Sequence, residues 1–195
     1  MSRGSTIDID IGMGSTSGTV SLALPLDFAA WSALAALYAD YAAVLDAGEL
    51  GRWPDFFTED GIYRLQSREN HARGLPLATL AFESRAMLQD RVHGAAQTIF
   101  HDPYWQRHIV GAPRVLGSAE SSGDSGSPAS AAAAGLRVEA SYVVLRTKRD
   151  ALPEVMSVGR YLDRVVAMPD GGLRFAERLA IFDNDLIANS IIYPI

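Results

Sequence analysis

The sequence predicts an α+β fold in which N-terminal helices pack on one face of a strongly curved, mostly antiparallel sheet. Helical periodicity is confined to the first half of the chain, and three long strand patterns follow one another in the second half. Helices and strands that are segregated in this way form a helix layer on an antiparallel sheet. A straight strand of about 13 residues would extend about 43 Å, which exceeds the width of so small a domain, so the sheet must curl.

The first helix is predicted to begin after Asp27, which can act as its N-cap, and to stop near Gly48. Apolar residues recur along one face of this helix at every third or fourth position, namely Phe28, Trp31, Leu34, Leu37, Tyr41 and Val44. Pro54 favours the first turn of a second, short helix over Arg52–Phe57. A third helix is predicted over residues 78–92, with Leu80, Met87, Leu88 and Val92 facing inward and His93-Gly94 at its end.

Strand patterns fill the rest of the ordered part of the chain. A short strand is predicted over Gly61–Gln66, and Tyr104–Leu116 is predicted to be a strand that bends at Gly111 and Pro113. The three long strand patterns are Leu136–Lys148, Glu154–Met168 and Leu173–Asp183. The last two are separated by Pro169-Asp170-Gly171-Gly172, a strong hairpin signal.

Two segments have the composition of flexible chain. Residues 1–24 are rich in Gly, Ser and Thr and are predicted to form a mobile arm, and residues 117–135 are predicted to form an exposed loop between two strands. The remainder, residues 25–195, is predicted to form a single domain. A curled sheet that wraps a long helix makes the cone that cystatin-like folds share with the nuclear transport factor 2 superfamily.

Composition excludes several function classes. The chain has no cysteine, which rules out disulfides, thiolate nucleophiles and cysteine-ligated iron–sulfur clusters within this chain. The net charge of −6 argues against nucleic-acid binding. No secretory signal and no continuous apolar run of about 18 residues is present, so a cytoplasmic protein without a membrane segment is expected. None of the four histidines forms a metal-binding pair such as HxH or HExxH, and GxSxG, P-loop and strand-linked GxGxxG motifs are absent.

The charged residues of the last strands allow two interpretations. Three acids (Asp163, Glu177 and Asp183) lie close in sequence to four arginines (Arg160, Arg164, Arg174 and Arg178). We favour a ladder of cross-strand ion pairs on the outer face of the sheet, because arginines keep the pKa of neighbouring acids low. With Tyr142, Tyr161 and Phe175 interleaved, that face resembles a protein–protein interface. The alternative is an acid in the mouth of the cone that performs isomerase or dehydratase chemistry, with His108 and Asp60 as its candidates.

Five segments, taken together, resemble the small (β) subunits of Rieske-type aromatic-ring-hydroxylating dioxygenases. They occur in the family's order over residues 35–195, and they are WPDFFTEDGIYR (53–64), DRV (90–92), RHIV (107–110), GRYLD (159–163) and GGLRFAER (171–178) followed by Asp183. The first and third segments, with RENHARGLP (68–76), are most similar to subunits of enzymes that act on aromatic acids, such as terephthalate, salicylate and anthranilate. The insertion at 117–135 and Ala112, where many relatives have asparagine, depart from the family pattern.

This resemblance implies a non-catalytic subunit. The partner α subunit would carry the Rieske [2Fe-2S] cluster and a mononuclear Fe(II), and electrons would arrive from NADH through a reductase, in some systems through a ferredoxin. The assembly would be α3β3 with the β subunits associated as a trimer. The structural or interface candidates in this chain are Trp105, Arg107, His108, Arg160, Asp163, Glu177, Arg178 and Asp183. A free-standing cone-fold isomerase or dehydratase and a small-ligand-binding module remain the alternatives.

Overall fold

The computed structural model describes residues 26–98, 101–119, 135–184 and 191–195. In chain order the elements are α1 (Phe28–Asp46), a 3-10 helix (Leu50–Phe56), β1 (Phe57–Ser67), α2 (Arg68–Ala72), β2 (Leu80–Phe82), α3 (Arg85–Gln97), β3 (Tyr104–Val110), β4 (Arg114–Ala119), β5 (Gly135–Lys148), β6 (Glu154–Ala167) and β7 (Leu173–Phe182). The predicted arm over residues 1–24 and positions 120–134 of the predicted loop lie outside the described residues.

One seven-stranded sheet carries the fold. Its strand order is β2-β1-β7-β6-β5-β3, and β4 pairs with β5 beyond the end of β3. The β1–β7 pair is parallel, and the other pairs are antiparallel. Register shifts interrupt four of the strand pairs, and such bulges bend strands and increase their twist. The predicted α+β class, with helices on a curved and mostly antiparallel sheet, is confirmed.

Helix α1 packs against β3, β7 and the 3-10 helix. The side chain of Asp27 accepts a hydrogen bond from the main-chain N–H of Ala30 at 2.8 Å, which confirms the predicted N-cap. The buried face of the helix consists of Leu34, Leu37, Tyr38, Tyr41, Ala42, Val44 and Leu45. Phe28 and Trp31 continue the same periodicity but are exposed, because periodicity does not show where along a helix its packing partner begins.

Length and apolar composition would also allow α1 to span a membrane, and among the described residues it is the one helix with both properties. A core helix of a globular domain has the same two properties. Five side chains of α1 belong to the main hydrophobic cluster of the described residues, namely Leu34, Leu37, Tyr38, Tyr41 and Leu45.

The predicted helix over residues 78–92 is wrong at both ends. Residues Leu80–Phe82 form β2, which pairs with β1, and the helix begins only after Ser84, whose hydroxyl accepts a hydrogen bond from the N–H of Met87 at 3.3 Å. The helix then continues through Gly94 to Gln97. The short apolar segment before Ser84 fits a helix face and a strand equally well, and pairing with β1 decides between them.

The three long strand predictions hold within one residue at each end, whereas the strand predicted over Gly61–Gln66 begins four residues earlier, at Phe57. Gly111 and Pro113 separate β3 from β4, and both strands pair with β5, as the predicted bend requires. The ends of the predicted loop at 117–135 are strand instead, because β4 extends to Ala119 and β5 begins at Gly135. The hairpin before β7 uses Gly171 with a φ of 82°.

The core fills the space between α1 and the concave face of the sheet. Aromatic side chains dominate it, with edge-to-face contacts such as Trp53–Tyr63, whose ring centroids are 5.3 Å apart. Ile195 is fully buried in the same cluster, and its main-chain oxygen accepts hydrogen bonds from the hydroxyls of Tyr41 and Tyr63 at 3.2 Å each. Side chains and the segment 191–195 therefore occupy the interior of the cone.

Gly159 provides a test of how closely β6 and β7 approach. A Cβ atom at this position would lie 1.9 Å from the main-chain oxygen of Ile181, so the strands would have to separate. We expect Gly159→Ala to lower the free energy of unfolding by about 3 kcal/mol, at the upper end of the usual cost of overpacking.

Urea denaturation followed by circular dichroism measures this change. Gly51→Ala is the matched control, because a Cβ there meets no atom within 4 Å and the residue lies in the exposed part of the 3-10 helix. Equal unfolding midpoints for the two variants would show that β6 and β7 leave room for a Cβ atom at position 159.

Candidate functional site

A buried ion pair between neighbouring strands is the most unusual feature of the interior. Asp163 on β6 lies opposite Arg178 on β7 in the sheet register. Both side chains are completely buried, and the guanidinium makes two hydrogen bonds to the carboxylate, with Nη2–Oδ2 at 2.8 Å and Nε–Oδ1 at 3.2 Å. This bidentate geometry is the strongest form of an arginine–carboxylate contact.

Aromatic residues surround the ion pair on the side of α1. The guanidinium carbon of Arg178 lies 3.8 Å from the ring centre of Phe175, 4.1 Å from that of Tyr41 and 4.2 Å from that of Tyr161. Such distances allow cation–π attraction, which is stronger where water is excluded. The hydroxyl of Tyr38 donates a short hydrogen bond to Oδ2 of Asp163 and so ties α1 to the pair.

The environment shifts the pKa values of these groups. Burial raises the pKa of Tyr38 and of Tyr161 far above that of an ordinary phenol, so both hydroxyls stay protonated. Burial alone would lower the pKa of Arg178, but Asp163, Tyr41 and Tyr38 together outweigh this effect, and the pKa lies well above its ordinary value. Burial raises the pKa of Asp163, and the contacts of this carboxylate with Arg178 and Tyr38 act in the opposite direction. The cluster is thus suited to holding strands and helix together rather than to proton transfer.

The predicted ion-pair ladder on the outer face needs correction. Asp163 and Arg178 point into the cone, and so do the aromatic residues that were expected to interleave with the ladder, Tyr142, Tyr161 and Phe175. The outer face does carry ion pairs, in which the Glu139 carboxylate contacts Arg160 at 3.2 Å and also contacts Arg114. Glu177 lies opposite Arg164 on the same outer face, and Asp183 lies near Arg68 at 3.8 Å beyond the end of β7.

His108 belongs to a second polar cluster, at the sheet edge. Its ring Nδ1 lies 2.7 Å from Oδ1 of Asp46, the last residue of α1, and its main-chain N–H donates to both oxygens of the same carboxylate at 3.0 Å. Arg107 approaches this carboxylate at 3.5 Å. Asp46 therefore secures the end of α1 to β3.

The two alternative catalytic candidates, His108 and Asp60, lie in different parts of the sheet. Asp60 is exposed on β1 and accepts a hydrogen bond from the Thr58 hydroxyl at 2.9 Å, whereas His108 is buried on β3. Three strands (β7, β6 and β5) lie between β1 and β3 in the sheet. In the described part of the chain, no group of three or more histidine, aspartate or glutamate side chains is arranged to hold a metal ion.

Comparison with known proteins identifies the family. Residues 28–179 match the SnoaL-like domain family. The chain is 33% identical over 162 residues to the terephthalate 1,2-dioxygenase terminal oxygenase component subunit beta 1 of a Comamonas species, an alignment that covers 83% of this chain and 96% of that subunit. It is also 28% identical over 169 residues to the anthranilate 1,2-dioxygenase small subunit of Burkholderia cepacia, with 87% and 96% coverage. The chain belongs to the small-subunit family of the aromatic-ring-hydroxylating dioxygenases.

A solved structure supports the same assignment for this small subunit. The β subunit of a proposed aromatic-ring-hydroxylating dioxygenase from Novosphingobium aromaticivorans superposes with a TM-score of 0.70 at 30% identity, and the match covers 85% of this chain and 95% of the other. The cone fold expected from the sequence, and the resemblance that the five segments carry, are therefore confirmed.

Sequence reasoning about the small subunit missed three residues of these two clusters. Tyr38, Asp46 and Tyr41 all lie on α1 and contact strand residues that are distant in sequence. The one sequence signal is that Tyr38 and Tyr41 are three positions apart and so lie on the same face of the helix, which indicates that they share neighbours. No local signal marked Asp46, because its two hydrogen-bonded groups come from β3.

Loss of the buried ion pair should cost more stability than loss of an outer ion pair. We expect Asp163→Ala to lower the free energy of unfolding of the small subunit by about 3–5 kcal/mol, because it leaves a buried guanidinium without its counter-ion. Arg160→Ala, in an outer ion pair whose arginine side chain is 47% exposed, should cost less than about 1 kcal/mol.

Chemical denaturation of the purified chain measures both changes. Asp163→Asn is the conservative companion variant, since it keeps a hydrogen-bond acceptor for Tyr38 and removes only the charge. Similar stability losses for Asp163→Ala and Arg160→Ala would contradict the central role of the buried pair.

Proposed function

We propose that this chain is the non-catalytic small subunit of an oxygenase for aromatic acids and that it docks on a large subunit where the chemistry takes place. The observation that carries the proposal is the filled interior of the cone. The space that could hold a substrate contains the Asp163–Arg178 pair, its aromatic neighbours and the segment 191–195. A cone with such an interior supports function through its outer surfaces.

The substrate class follows from the relatives. Two proteins with 28–33% identity are named after terephthalate and anthranilate, which are both aromatic acids. Since the small subunit places no catalytic group beside a substrate in this proposal, the large subunit would select the ring, and the small subunit would fix the shape of the assembly.

The redox groups belong to the large subunit in this proposal. A Rieske cluster needs two cysteine and two histidine ligands, and this chain has no cysteine. The α subunit would therefore hold the [2Fe-2S] cluster and the mononuclear Fe(II), with NADH as electron donor through a reductase, with or without a ferredoxin. The assembly would be an α3β3 hexamer in the cytoplasm in which the β subunits also contact each other as a trimer.

The free-standing alternatives gain no support from the geometry. An isomerase or dehydratase would need a base within reach of a bound substrate. The Asp46 carboxylate holds Nδ1 of His108 at 2.7 Å, and Asp60 is an exposed residue that contacts Thr58. A small-ligand-binding module would need an open cavity at the centre of the cone, and the described side chains fill that centre. A cavity of about 330 Å³ that contacts Tyr38 and His108 lies outside it, between α1 and the β3–β4 connection.

Co-expression tests the proposal. The chain should co-purify with a Rieske-type α subunit encoded beside it, recognisable by a CxH…CxxH motif, and mass photometry should give the mass of a hexamer. Turnover of an aromatic acid should require the α subunit, and Asp60→Asn in the small subunit should leave that turnover unchanged because Asp60 is an exposed surface residue.

The isolated chain is the control for this experiment. Ring hydroxylation or isomerisation by the chain alone, at an enzymatic rate, would refute a non-catalytic role. A mixture that contains only free small subunits, at concentrations where the α subunit is folded and loaded with iron, would refute docking.

A further inference from the structure

The cavity of about 330 Å³ between α1 and the β3–β4 connection is large enough for one aromatic ring. A cavity of about 150 Å³ already accommodates benzene, so a single ring fits here with space to spare. Most of the described lining is apolar. Its apolar members from the helix and from the connection are Trp31, Ala35, Ala39, Ala42, Val110 and Pro113.

His108 contributes a buried polar atom without a partner to the lining of this cavity. Its side chain is fully buried, and its Nδ1 lies 2.7 Å from the Asp46 carboxylate. A carboxylate only accepts hydrogen bonds, so the neutral imidazole carries its proton on Nδ1 and has a lone pair at Nε2. Nε2 has no hydrogen-bond partner among the described residues. A buried acceptor in this state lowers stability, and a donor from a ligand would remove that cost.

The order of residues along α1 indicates on which side of the imidazole the cavity lies. Tyr38, Ala42 and Asp46 follow one another at intervals of four residues along one face of the helix, and the first two line the cavity. A ring that presents Nδ1 to Asp46 presents Nε2 away from the end of the helix, on the side of the cavity. Trp31 is 40% exposed whereas Tyr38 is buried, so Trp31 marks the outer end of the cavity and His108 the inner end.

The charges around the cavity favour a neutral ligand over an anion. The described lining contains no arginine or lysine, and the Asp46 carboxylate lies directly behind His108. A ligand carboxylate would therefore lose its water without gaining a counter-ion. The hydroxyl of Tyr38 already donates to Asp163, so Tyr38 offers the cavity its ring. A neutral aromatic ring with one hydroxyl group matches both the apolar walls and the acceptor at Nε2.

We propose that this cavity binds a small neutral phenol whose hydroxyl donates a hydrogen bond to Nε2 of His108. Asp46 is the positioning residue, because it holds the imidazole and fixes its proton on Nδ1. The apolar walls contact the ring of the ligand. The site uses residues of this chain alone, so it stands or falls independently of the proposed docking on a large subunit.

Fluorine NMR titration of the purified full-length chain tests this site with three probes. We expect para-fluorophenol and para-fluorotoluene to bind at millimolar concentrations and para-fluorobenzoate not to bind. His108→Asn keeps a side-chain N–H for Asp46 at the position of Nδ1 and removes Nε2. It should lower the affinity for para-fluorophenol relative to para-fluorotoluene at least about fivefold, the loss expected for one buried hydrogen bond.

A pair of alanine variants on α1 locates the binding site. Ala39→Leu fills part of the cavity and should weaken binding of para-fluorophenol at least about tenfold, because a closely fitting apolar pocket excludes added bulk. Ala33→Leu is the matched control, since Ala33 is exposed on the same helix and does not line the cavity. It should change the affinity less than about twofold, as surface substitutions usually do. Circular dichroism verifies that each variant is folded.

Four outcomes overturn the inference. Absence of para-fluorophenol binding to the wild-type chain would mean that the cavity holds only water, and equal binding by Ala39→Leu would place the ring elsewhere. Binding of para-fluorobenzoate as tight as that of the phenol would refute the ligand class. An unchanged affinity ratio in His108→Asn would refute recognition of the hydroxyl. Should His108→Asn not fold, the nitrogen chemical shift of Nε2 in the wild-type chain decides, because it should move with para-fluorophenol and stay with para-fluorotoluene.

Discussion

The buried pair of Asp163 and Arg178 is the constraint around which the cone is organised. Two buried charges lower stability unless they are compensated. Nη1 of Arg178 has no hydrogen-bond partner among the described residues, and the compensation of the pair comes from three directions. The strand register sets the bidentate contact, Tyr38 on α1 donates to the carboxylate, and the rings of Tyr41, Tyr161 and Phe175 surround the guanidinium. A shift of β6 against β7, or a rotation of α1, would leave a charge without partners, so the pair specifies one packing arrangement.

This arrangement determines where function can reside. In the cone fold the concave face of the sheet and the long helix enclose a space, and here that space is filled by the ion pair, by a set of interlocking aromatic rings and by Ile195. The polar groups in the interior of this chain hold its strands and its helix together. Its contribution to an oxygenase must come from the surfaces that it presents, which agrees with membership of a small-subunit family.

How far the sequence predicts this structure depends on whether each interaction is local. The long strands β5, β6 and β7 were predicted within one or two residues because their alternation is regular and strong turn signals separate them. In β6, Asp163 lies two residues from both Tyr161 and Val165, and this alternation places it on the buried face of the strand. The sequence prediction put it on the outer face instead, because it gave more weight to the charge of the side chain. The face of Arg178 was harder to predict, because a bulge near Val165 and Phe175 breaks the alternation of β7, where Phe175 and Ala176 are both buried. Residue Asp46 and the segment 80–82 depend on contacts with distant strands, which no local pattern encodes.

The edge strand β3 contacts Asp46 at its free edge and carries exposed apolar side chains on the outer face of the sheet. Free strand edges invite pairing with other chains, and proteins block them with charges or covering segments. Here the Asp46 carboxylate accepts the outward main-chain N–H of His108, and the end of α1 covers this part of the edge. At His108 the edge is thus closed to strand addition, while the adjacent outer face keeps Trp105 and Ile109 exposed. A partner that approaches β3 at this point therefore meets side chains on the face of the sheet rather than a free main chain.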